Sequence, residues 1–400
     1  MNDLAVKLKE ITKLKSGIKR LTLTDFRNYK NLRIETEVSP IIITGENGSG
    51  KTNILEAISF LSPGRGLRGA RLADIKRLSA NDDNLLINEG WSVAANILKN
   101  DEEHQIGTAS QKTNREDNED DSIHSFERRI VKINQQKISQ QSELGKYIST
   151  IWITPQMDRL FLGGTQPRRS FLDRLVYAFD LEHAKRTANF EHLYRQWFQL
   201  IKSGCKDINW LASIETDLAS LGVAIAAARR EQIAKLNTFI LNEPDDIFPD
   251  VRLELSGTIE KLLDTMPAIK VEDFYIDLLA KQRHRVLYNE YVDGINRTDF
   301  KVFFKKKDMP AEMCSTGEQK ALLISIILAQ TKCQILDKGF SPILLLDEVT
   351  THLDDKKRDA LLEKIQNLSI QAWITSTEPQ NFSALKGKAQ FFNIENSTLF

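Results

Sequence analysis

The stretch Gly45-Glu46-Asn47-Gly48-Ser49-Gly50-Lys51-Thr52 decides the fold, because it satisfies the pattern G-x-x-x-x-G-K-[S/T] in full. A β-branched run, Ile41-Ile42-Ile43, precedes it, and apolar residues at helical spacing follow from Asn53 to Leu61. The predicted helix stops at Pro63-Gly64. A glycine turn without a ligand is the plain alternative, but the strand and helix on either side favour a P-loop. The sequence therefore predicts an α/β fold with a nucleotide site.

Each residue type in this loop has a chemical purpose. The glycines allow backbone N–H groups to close around phosphates at a helix N-terminus, which favours anions. Lys51 is expected to reach the β/γ-phosphates, and the Thr52 hydroxyl to ligate Mg²⁺. We therefore predict that all eight residues bind ATP, that Lys51 also takes part in catalysis, and that Thr52 holds the metal.

A second motif, Ile343-Leu344-Leu345-Leu346-Asp347-Glu348, is an apolar strand that ends in two carboxylates. Asp347 is placed to hold Mg²⁺, directly or through water, and Glu348 to orient or deprotonate the attacking water. A buried strand with an acidic end is common, so the P-loop gives this pattern its weight. Because Lys51 and Asp347 are far apart in sequence, we expect an ATPase head built from both chain ends around an insertion.

Periodicity divides the chain into three parts. We predict that residues 1–166 form the N-terminal part of the head, 167–298 a helical arm, and 299–400 the C-terminal part of the head. The arm carries an amphipathic stripe and no sustained heptad array, which argues against a long coiled coil. The polar residues 100–125 predict an exposed disordered loop or a solvated hairpin tip. The stripe consists of Leu211, Ile214, Leu218, Leu221 and Ile225.

The segment Cys314-Ser315-Thr316-Gly317-Glu318-Gln319-Lys320 opens a predicted helix. Its Ser-x-Gly-x-Gln turn resembles the signature motif of ABC-type ATPases, which contacts the γ-phosphate held by the opposite head of a dimer. This resemblance makes Ser315, Gly317 and Gln319 candidate ATP contacts across an ATP-dependent homodimer. A simple helix N-cap is the alternative, since Ser or Thr followed by Glu and Gln is good capping chemistry.

Two further segments bear on the class of ATPase. Thr351-His352-Leu353-Asp354 resembles the D-loop of ABC-type ATPases, which lies across the dimer seam. Trp373-Ile374-Thr375-Ser376-Thr377 ends a strand where transporters usually carry a switch histidine, and this sequence has none there. A transporter-associated subunit is therefore disfavoured. The residues after Glu348 are also too few for a TOPRIM-type nuclease domain.

Over almost its whole length the chain resembles the RecF family of SMC/Rad50-like ABC ATPases, which are bacterial recombination mediators. The most discriminating segments are Pro155-Gln156-Met157-Asp158 and Gly164 to Asp173, and Asp25 to Tyr29 also fits. Gln156 stands where the family usually has Glu. Gly294-Ile295-Asn296-Arg297 replaces the family's Gly-Pro-His-Arg, which leaves the role of that loop open.

The resemblance implies an ATP-dependent DNA-binding protein of replication and repair. Such a protein dimerises on ATP, hydrolyses it slowly, and helps load recombinase onto gapped or damaged DNA with other Rec mediator proteins. It also makes Gln156 a further candidate Mg²⁺ ligand. Arg65, Arg68 and Arg71 cluster after the P-loop helix and are candidate contacts to the phosphates of single-stranded or double-stranded DNA.

Composition sets the remaining limits. The 55 Lys and Arg residues balance the 55 Asp and Glu residues, so any nucleic-acid surface must come from local clustering. Three widely spaced cysteines suit neither a disulfide framework nor a zinc site, which predicts a reducing cytoplasm. No apolar run approaches the roughly 20 residues that span a bilayer, so no membrane is expected. Another SMC/Rad50-like or ABC-type ATPase, or a nucleotide-gated DNA clamp with negligible turnover, remains the alternative.

Overall fold

The computed structural model describes residues 10–11, 15–77, 90–115, 124–242, 247–351, 353–395 and 397–400. The chain folds into two units. One consists of Met1–Met157 with Gln334–Phe400, and the other of Asp158–Cys333. The first unit is therefore built from both chain ends, as the P-loop and the distant Asp-Glu strand predicted.

Both units contain strands and helices. The strands are β1 (Gly17–Phe26), β2 (Tyr29–Glu35), β3 (Ile41–Gly45), β4 (Ser92–Lys99), β5 (Glu102–Arg115), β6 (His124–Ile133), β7 (Gln136–Lys137), β8 (Thr150–Ile153), β9 (Val251–Ser256), β10 (Asp299–Phe304), β11 (Met309–Pro310), β12 (Ile343–Asp347), β13 (Ala372–Ser376), β14 (Gln390–Glu395) and β15 (Thr398–Leu399). The helices are α1 (Lys51–Ser59), α2 (Thr165–Tyr177), α3 (His183–Lys202), α4 (Ile208–Asn242), α5 (Thr258–Leu262), α6 (Ala268–Leu287), α7 (Thr316–Lys338) and α8 (Asp355–Asn367).

A largely parallel sheet in the first unit positions the candidate site. Its strand order is β15-β14-β3-β13-β12-β8, and every neighbouring pair from β14 to β8 is parallel. All residues of β12 and β13 are buried, which explains their continuous apolar sequences. Because the strands are parallel, the ends of β3, β13, β12 and β8 meet at one edge of the sheet. That edge carries the P-loop and the Asp-Glu pair.

An antiparallel sheet of order β2-β1-β4-β5-β6-β7 forms the rest of the first unit's β-structure. Its strand β5 pairs with β6 from Ile106–Ile133 to Arg115–His124. The prediction of a disordered loop over 100–125 is therefore wrong for residues 102–115 and 124–125, which form paired strands. Residues 116–123 lie outside the described residues. The buried face of β5 includes alternate residues Ile106, Thr108 and Ser110. Because two of these three are small and polar, the sequence lacks the apolar alternation by which a strand is recognised.

The second unit combines helices α2 to α7 with a three-stranded antiparallel sheet of order β11-β10-β9. The second unit is larger than the predicted arm of 167–298, because it also includes residues 158–166 and 299–333. Among these residues, β10 pairs with β9. The predicted stripe lies on α4, where four of its five members are buried and Leu221 is partly buried. By length and composition Ile208–Leu241 could span a membrane, but half of its most apolar window is buried in the protein, as in a core helix.

A buried ion network holds the second unit together. Asp173 on α2 accepts two hydrogen bonds of 2.8 Å from the Arg229 guanidinium of α4, and its Oδ1 lies 2.9 Å from His183 Nε2. Arg229 also donates to the Ile295 carbonyl at 2.9 Å and lies 3.7 Å from Glu260. Burial alone would raise the pKa of Asp173, but Arg229 and His183 lower it to about 2. Arg229 therefore keeps a buried carboxylate charged.

The structure predicts that Arg229→Met destabilises the protein by about 3–5 kcal/mol, because the buried Asp173 carboxylate would lose its main counter-charge and two hydrogen bonds, with only His183 left beside it. Urea unfolding followed by circular dichroism measures the loss. The double variant Asp173→Leu with Arg229→Met removes both charges and should be more stable than Arg229→Met alone. Equal or greater destabilisation of the double variant would show that packing, not charge compensation, explains the loss.

Candidate nucleotide site

Glycine is required at two turns of the P-loop. Gly45 ends β3 with φ of 149°, and Gly50 caps the N-terminus of α1 with φ of 113°. A Cβ on Gly50 would lie 2.3 Å from Asn28 Nδ2 and 2.5 Å from the Tyr29 hydroxyl. Nothing lies within 4 Å of a Cβ on Gly48, whose φ is 84°. The loop is thus packed on one side and open at Gly48.

Lys51 lies inside this loop. Its Nζ donates to the carbonyls of Gly45 and Glu46, both at 2.8 Å, and the residue is 4% exposed. Burial lowers the pKa of Lys51, while the nearby carboxylates of Glu348 and Asp347 oppose that shift. A lysine in a loop is usually exposed to solvent, but here the loop wraps around the Lys51 side chain. The ammonium is thereby held at the start of α1.

Asp347 joins three elements at the sheet edge. Its Oδ1 accepts the Thr52 hydroxyl of α1 at 2.8 Å and the Thr375 hydroxyl of β13 at 2.7 Å. Asp347 is 5% exposed and ends β12. The structure therefore brings together the two predicted metal ligands, Thr52 and Asp347, from opposite ends of the chain. A hydroxyl and a carboxylate are oxygen donors of the kind that Mg²⁺ prefers.

Glu348 follows at the turn out of β12. Its φ of 48° lies in the left-handed region, where a non-glycine residue is uncommon and often functional. Its backbone N–H donates to Thr375 Oγ1 at 3.0 Å. Glu348 is half-buried. The predicted base thus adjoins the predicted metal ligand and influences Lys51.

Gln156 lies at the same sheet edge. It is in the short turn Pro155–Arg159 after β8, which pairs in parallel with β12 through Ile153 and Leu346. Its side chain is exposed. The placement is compatible with a metal ligand, and that role stays a prediction.

The turn between β1 and β2 supports the P-loop, a role that sequence reasoning missed. Asn28 Nδ2 donates to the Ser49 carbonyl at 3.2 Å and to Ser397 Oγ at 2.8 Å. Asn28 Oδ1 accepts from the Asn53 side chain of α1 at 2.6 Å. In the sequence the segment Asp25 to Tyr29 contributes only to the family resemblance, and nothing in its composition indicates these partners.

The predicted DNA-contacting arginines are not equivalent. Arg68 donates to Asn53 at 2.8 Å and to Glu56 at 2.9 Å, and Glu56 is fully buried on α1. Arg27 forms two further bonds with the same carboxylate. Arg68 is therefore tied to the P-loop helix instead of being a free surface cation. Arg65 and Arg71 are exposed, and DNA contact by them stays a prediction.

The signature-like turn in the second unit is a capping box. Glu318 Oε2 accepts from the Ser315 backbone N–H at 2.9 Å and from the Ser315 hydroxyl at 3.0 Å. Lys307 pairs with the other Glu318 oxygen, and these partners lower the pKa of Glu318 to about 2. Ser315 is exposed and Gly317 half-buried. The capping alternative is thus observed, and it leaves the Ser315 side accessible.

Gln319 differs from its two predicted companions. Its side chain is 2% exposed and donates to the Cys314 carbonyl at 2.9 Å, so it supports the turn from inside.

In the D-loop-like segment, His352 lies outside the described residues. Asp354 caps α8 by accepting from the Lys357 N–H at 2.9 Å.

Known proteins are similar to this sequence over nearly its full length. Residues 17–398 match the family "RecF/RecN/SMC N terminal domain". A DNA replication and repair protein RecF from Allorhizobium ampelinum is 41% identical over 388 residues, which cover 96% of this chain and 99% of that protein. The RecF of Rhizobium rhizogenes is also 41% identical, over 94% of this chain and 96% of its own length.

Solved structures share the fold. The recombination mediator protein RecF-ATPrS of the RecFOR pathway superposes with a TM-score of 0.79 at 20% identity, covering 96% of this chain and 98% of that one. An SMC head bound to the C-winged helix domain of ScpA gives a TM-score of 0.52 at 16% identity, over 96% of this chain and 95% of that one. The fold is thus that of RecF and SMC heads, and the chain belongs to the RecF family within the RecF/RecN/SMC proteins.

Proposed function

We propose that the protein is an ATP-dependent DNA-binding protein of DNA replication and recombinational repair in the cytoplasm. It binds MgATP, dimerises around DNA, hydrolyses ATP slowly with stimulation by DNA, and assists recombinase loading at gapped or damaged DNA. The observation that carries the proposal is the meeting of Lys51, Thr52, Asp347 and Glu348 at one sheet edge. The names of the relatives, which describe replication and repair proteins, support the same role.

The four side chains divide the chemistry of ATP cleavage. Lys51 meets the phosphates with a fixed ammonium, and Thr52 with Asp347 would hold the Mg²⁺. The metal supplies charge neutralisation on the phosphate oxygens when it is bound. Glu348 orients the attacking water and accepts its proton. Catalysis of this kind depends on the position of charged groups around the phosphates. The hydrogen bonds from Thr52 and Thr375 fix the position of one such group, the Asp347 carboxylate.

The signature-like turn supports the proposed dimerisation. Ser315 is exposed at the N-terminus of α7, where backbone N–H groups favour an anion such as the γ-phosphate of an opposite head. ATP would then join two copies head to tail. DNA contact would use exposed cations such as Arg65 and Arg71 and read the phosphate backbone. Other Rec mediator proteins are the proposed partners, in line with the RecFOR pathway named for the similar structure.

Lys51→Met is expected to weaken ATP binding by about 100-fold, because it removes a charge-assisted contact to the phosphates. Titration with a fluorescent ATP analogue measures the affinity. Lys388→Met, which removes an exposed lysine elsewhere in the first unit, is the matched control and should bind normally. Normal nucleotide affinity of Lys51→Met would contradict the P-loop assignment.

Glu348→Gln should bind ATP normally yet hydrolyse it about 10²–10⁴-fold more slowly, because the amide cannot accept a proton. The closed dimer should then accumulate and bind duplex DNA more tightly, with a steeper loss of affinity as salt rises. A salt series with ATP and without nucleotide tests this. The same salt slope in both states would exclude a DNA site built by closure. Undetectable hydrolysis by the unmodified protein would favour the clamp without turnover.

Ser315→Arg should block ATP-dependent dimerisation while leaving ATP binding by the monomer unchanged, because a bulky cation would occupy the approach of the opposite phosphate. Sedimentation with and without ATP reports the dimer. Ser315→Ala is compared with it, since it removes the cap at a cost of about 1 kcal/mol without adding bulk. Equal loss of monomeric ATP binding and of the dimer in Ser315→Arg would contradict the prediction and point to the capping role alone, through local unfolding of the helix.

A further inference from the structure

We propose that Thr375 is the positioning residue for the Asp347 carboxylate and for the turn that carries Glu348. One hydroxyl group lies between the side chain of Asp347 and the backbone of Glu348, with hydrogen bonds to each. The inference rests on the proposed function, and it adds a residue that neither the nucleotide-binding motifs nor the family resemblance assigns.

The direction of both hydrogen bonds follows from elementary chemistry. The Glu348 backbone N–H can only donate, so Thr375 Oγ1 accepts this bond, at 3.0 Å. The carboxylate of Asp347 accepts, so the Thr375 hydroxyl proton points to Asp347 Oδ1, at 2.7 Å. Thr375 is fully buried, which leaves water no access to replace either partner. The Thr375 hydroxyl is therefore at once a hydrogen-bond donor to Asp347 and an acceptor from Glu348.

The strand register explains how the short side chain of Thr375 reaches Asp347. Asp347 and Thr375 are direct partners in the parallel pairing of β12 with β13. Because the Thr375 Cβ carries both a methyl and a hydroxyl group, rotation about χ1 is restricted and the hydroxyl has few alternative positions. Asp347 is thus fixed from the sheet by Thr375 and from α1 by Thr52. A carboxylate held from two sides presents one orientation to a metal.

The same hydroxyl also fixes the start of the turn at Glu348. That residue has a φ of 48°, a conformation that a non-glycine residue keeps only when its surroundings impose it. Binding of its N–H by Thr375 is one such restraint, and the Thr351 N–H to Glu348 carbonyl bond of 3.1 Å is another. Loss of the hydroxyl should therefore affect the metal ligand and the base together.

A purely structural role for Thr375 is the alternative. A buried hydroxyl that satisfies two neighbours contributes to stability wherever it lies, and its loss would lower the thermal midpoint alone. Positioning predicts something different, a changed metal requirement and a changed turnover. Partners that orient metal ligands typically alter affinity or activity by about 10–100-fold when they are removed.

The experiment compares Thr375→Val, Thr375→Ser and Thr36→Val in the full chain. Valine keeps the shape of threonine and removes the hydroxyl, whereas serine keeps the hydroxyl. Thr36 is the matched control, because it is also a buried threonine of the first unit whose hydroxyl donates to a backbone carbonyl, that of Ile18. A fluorescent ATP analogue is titrated in EDTA and at increasing Mg²⁺, and turnover is measured separately.

In EDTA all variants should bind the nucleotide equally, since Lys51 and the loop are unchanged. Thr375→Val should need about 10–100-fold more Mg²⁺ for half-maximal stimulation of binding, with a similar fall in kcat. Thr375→Ser should remain within a few-fold of the unmodified protein. Should Thr375→Val fail to fold, Thr375→Ala removes the same hydroxyl without placing a second methyl against the carboxylate.

An unchanged Mg²⁺ requirement in the variant without the hydroxyl overturns the inference, and so does an equal change in Thr36→Val. Failure of the proposed function looks different. In that case the unmodified protein itself would show no Mg²⁺-dependent nucleotide binding.

Discussion

The hydrogen bond between Thr52 and Asp347 joins the two ends of the chain, and the organisation of the first unit depends on the strand pairing behind it. Strand β3 comes from the N-terminal part, whereas its neighbours β13 and β14 come from the C-terminal part. Closing so long a loop costs only slightly more than closing a shorter one, because the entropy of closure grows with the logarithm of length. In the sequence, a complete second unit can therefore be inserted between the P-loop and Asp347.

Buried charges hold the elements around that sheet, and each is compensated differently. Glu56 on α1 is paired with Arg27 and Arg68. Arg129 on β6 is buried too, and burial lowers its pKa to about 10. It donates to the carbonyls of Phe60, Ser62 and Gly64, just after α1. A cation at the C-terminal end of a helix complements the helix dipole, so Arg129 anchors the P-loop helix to the antiparallel sheet.

The sequence predicted the parts of the site that depend on local pattern. The P-loop, the strand ending at Asp347 and the stripe on α4 carry their own periodicity, and each is found where it was expected. The roles of Thr375 and Asn28 could not be predicted in this way, because their partners are distant in sequence. The register of β12 with β13 brings Asp347 to Thr375, and the tertiary fold brings the P-loop to Asn28. Gln319 shows the same limit. Its position in the motif is visible in the sequence, but its burial against Cys314 follows from how the turn packs.

The segment that carries the family resemblance is largely architectural. Arg168 forms a two-bonded ion pair with Asp299 of β10, and Asp173 of the same helix holds Arg229. Arg229 also explains why the altered loop at 294–297 is compatible with the fold. Arg229 binds the carbonyl of Ile295, and a backbone carbonyl is present whatever side chain the position carries. Gly294 in that loop is a different case, because its φ of 151° suits glycine and a Cβ there would lie 2.4 Å from the Tyr275 hydroxyl. The loop therefore needs its glycine and its backbone path more than the Pro-His side chains usual in the family.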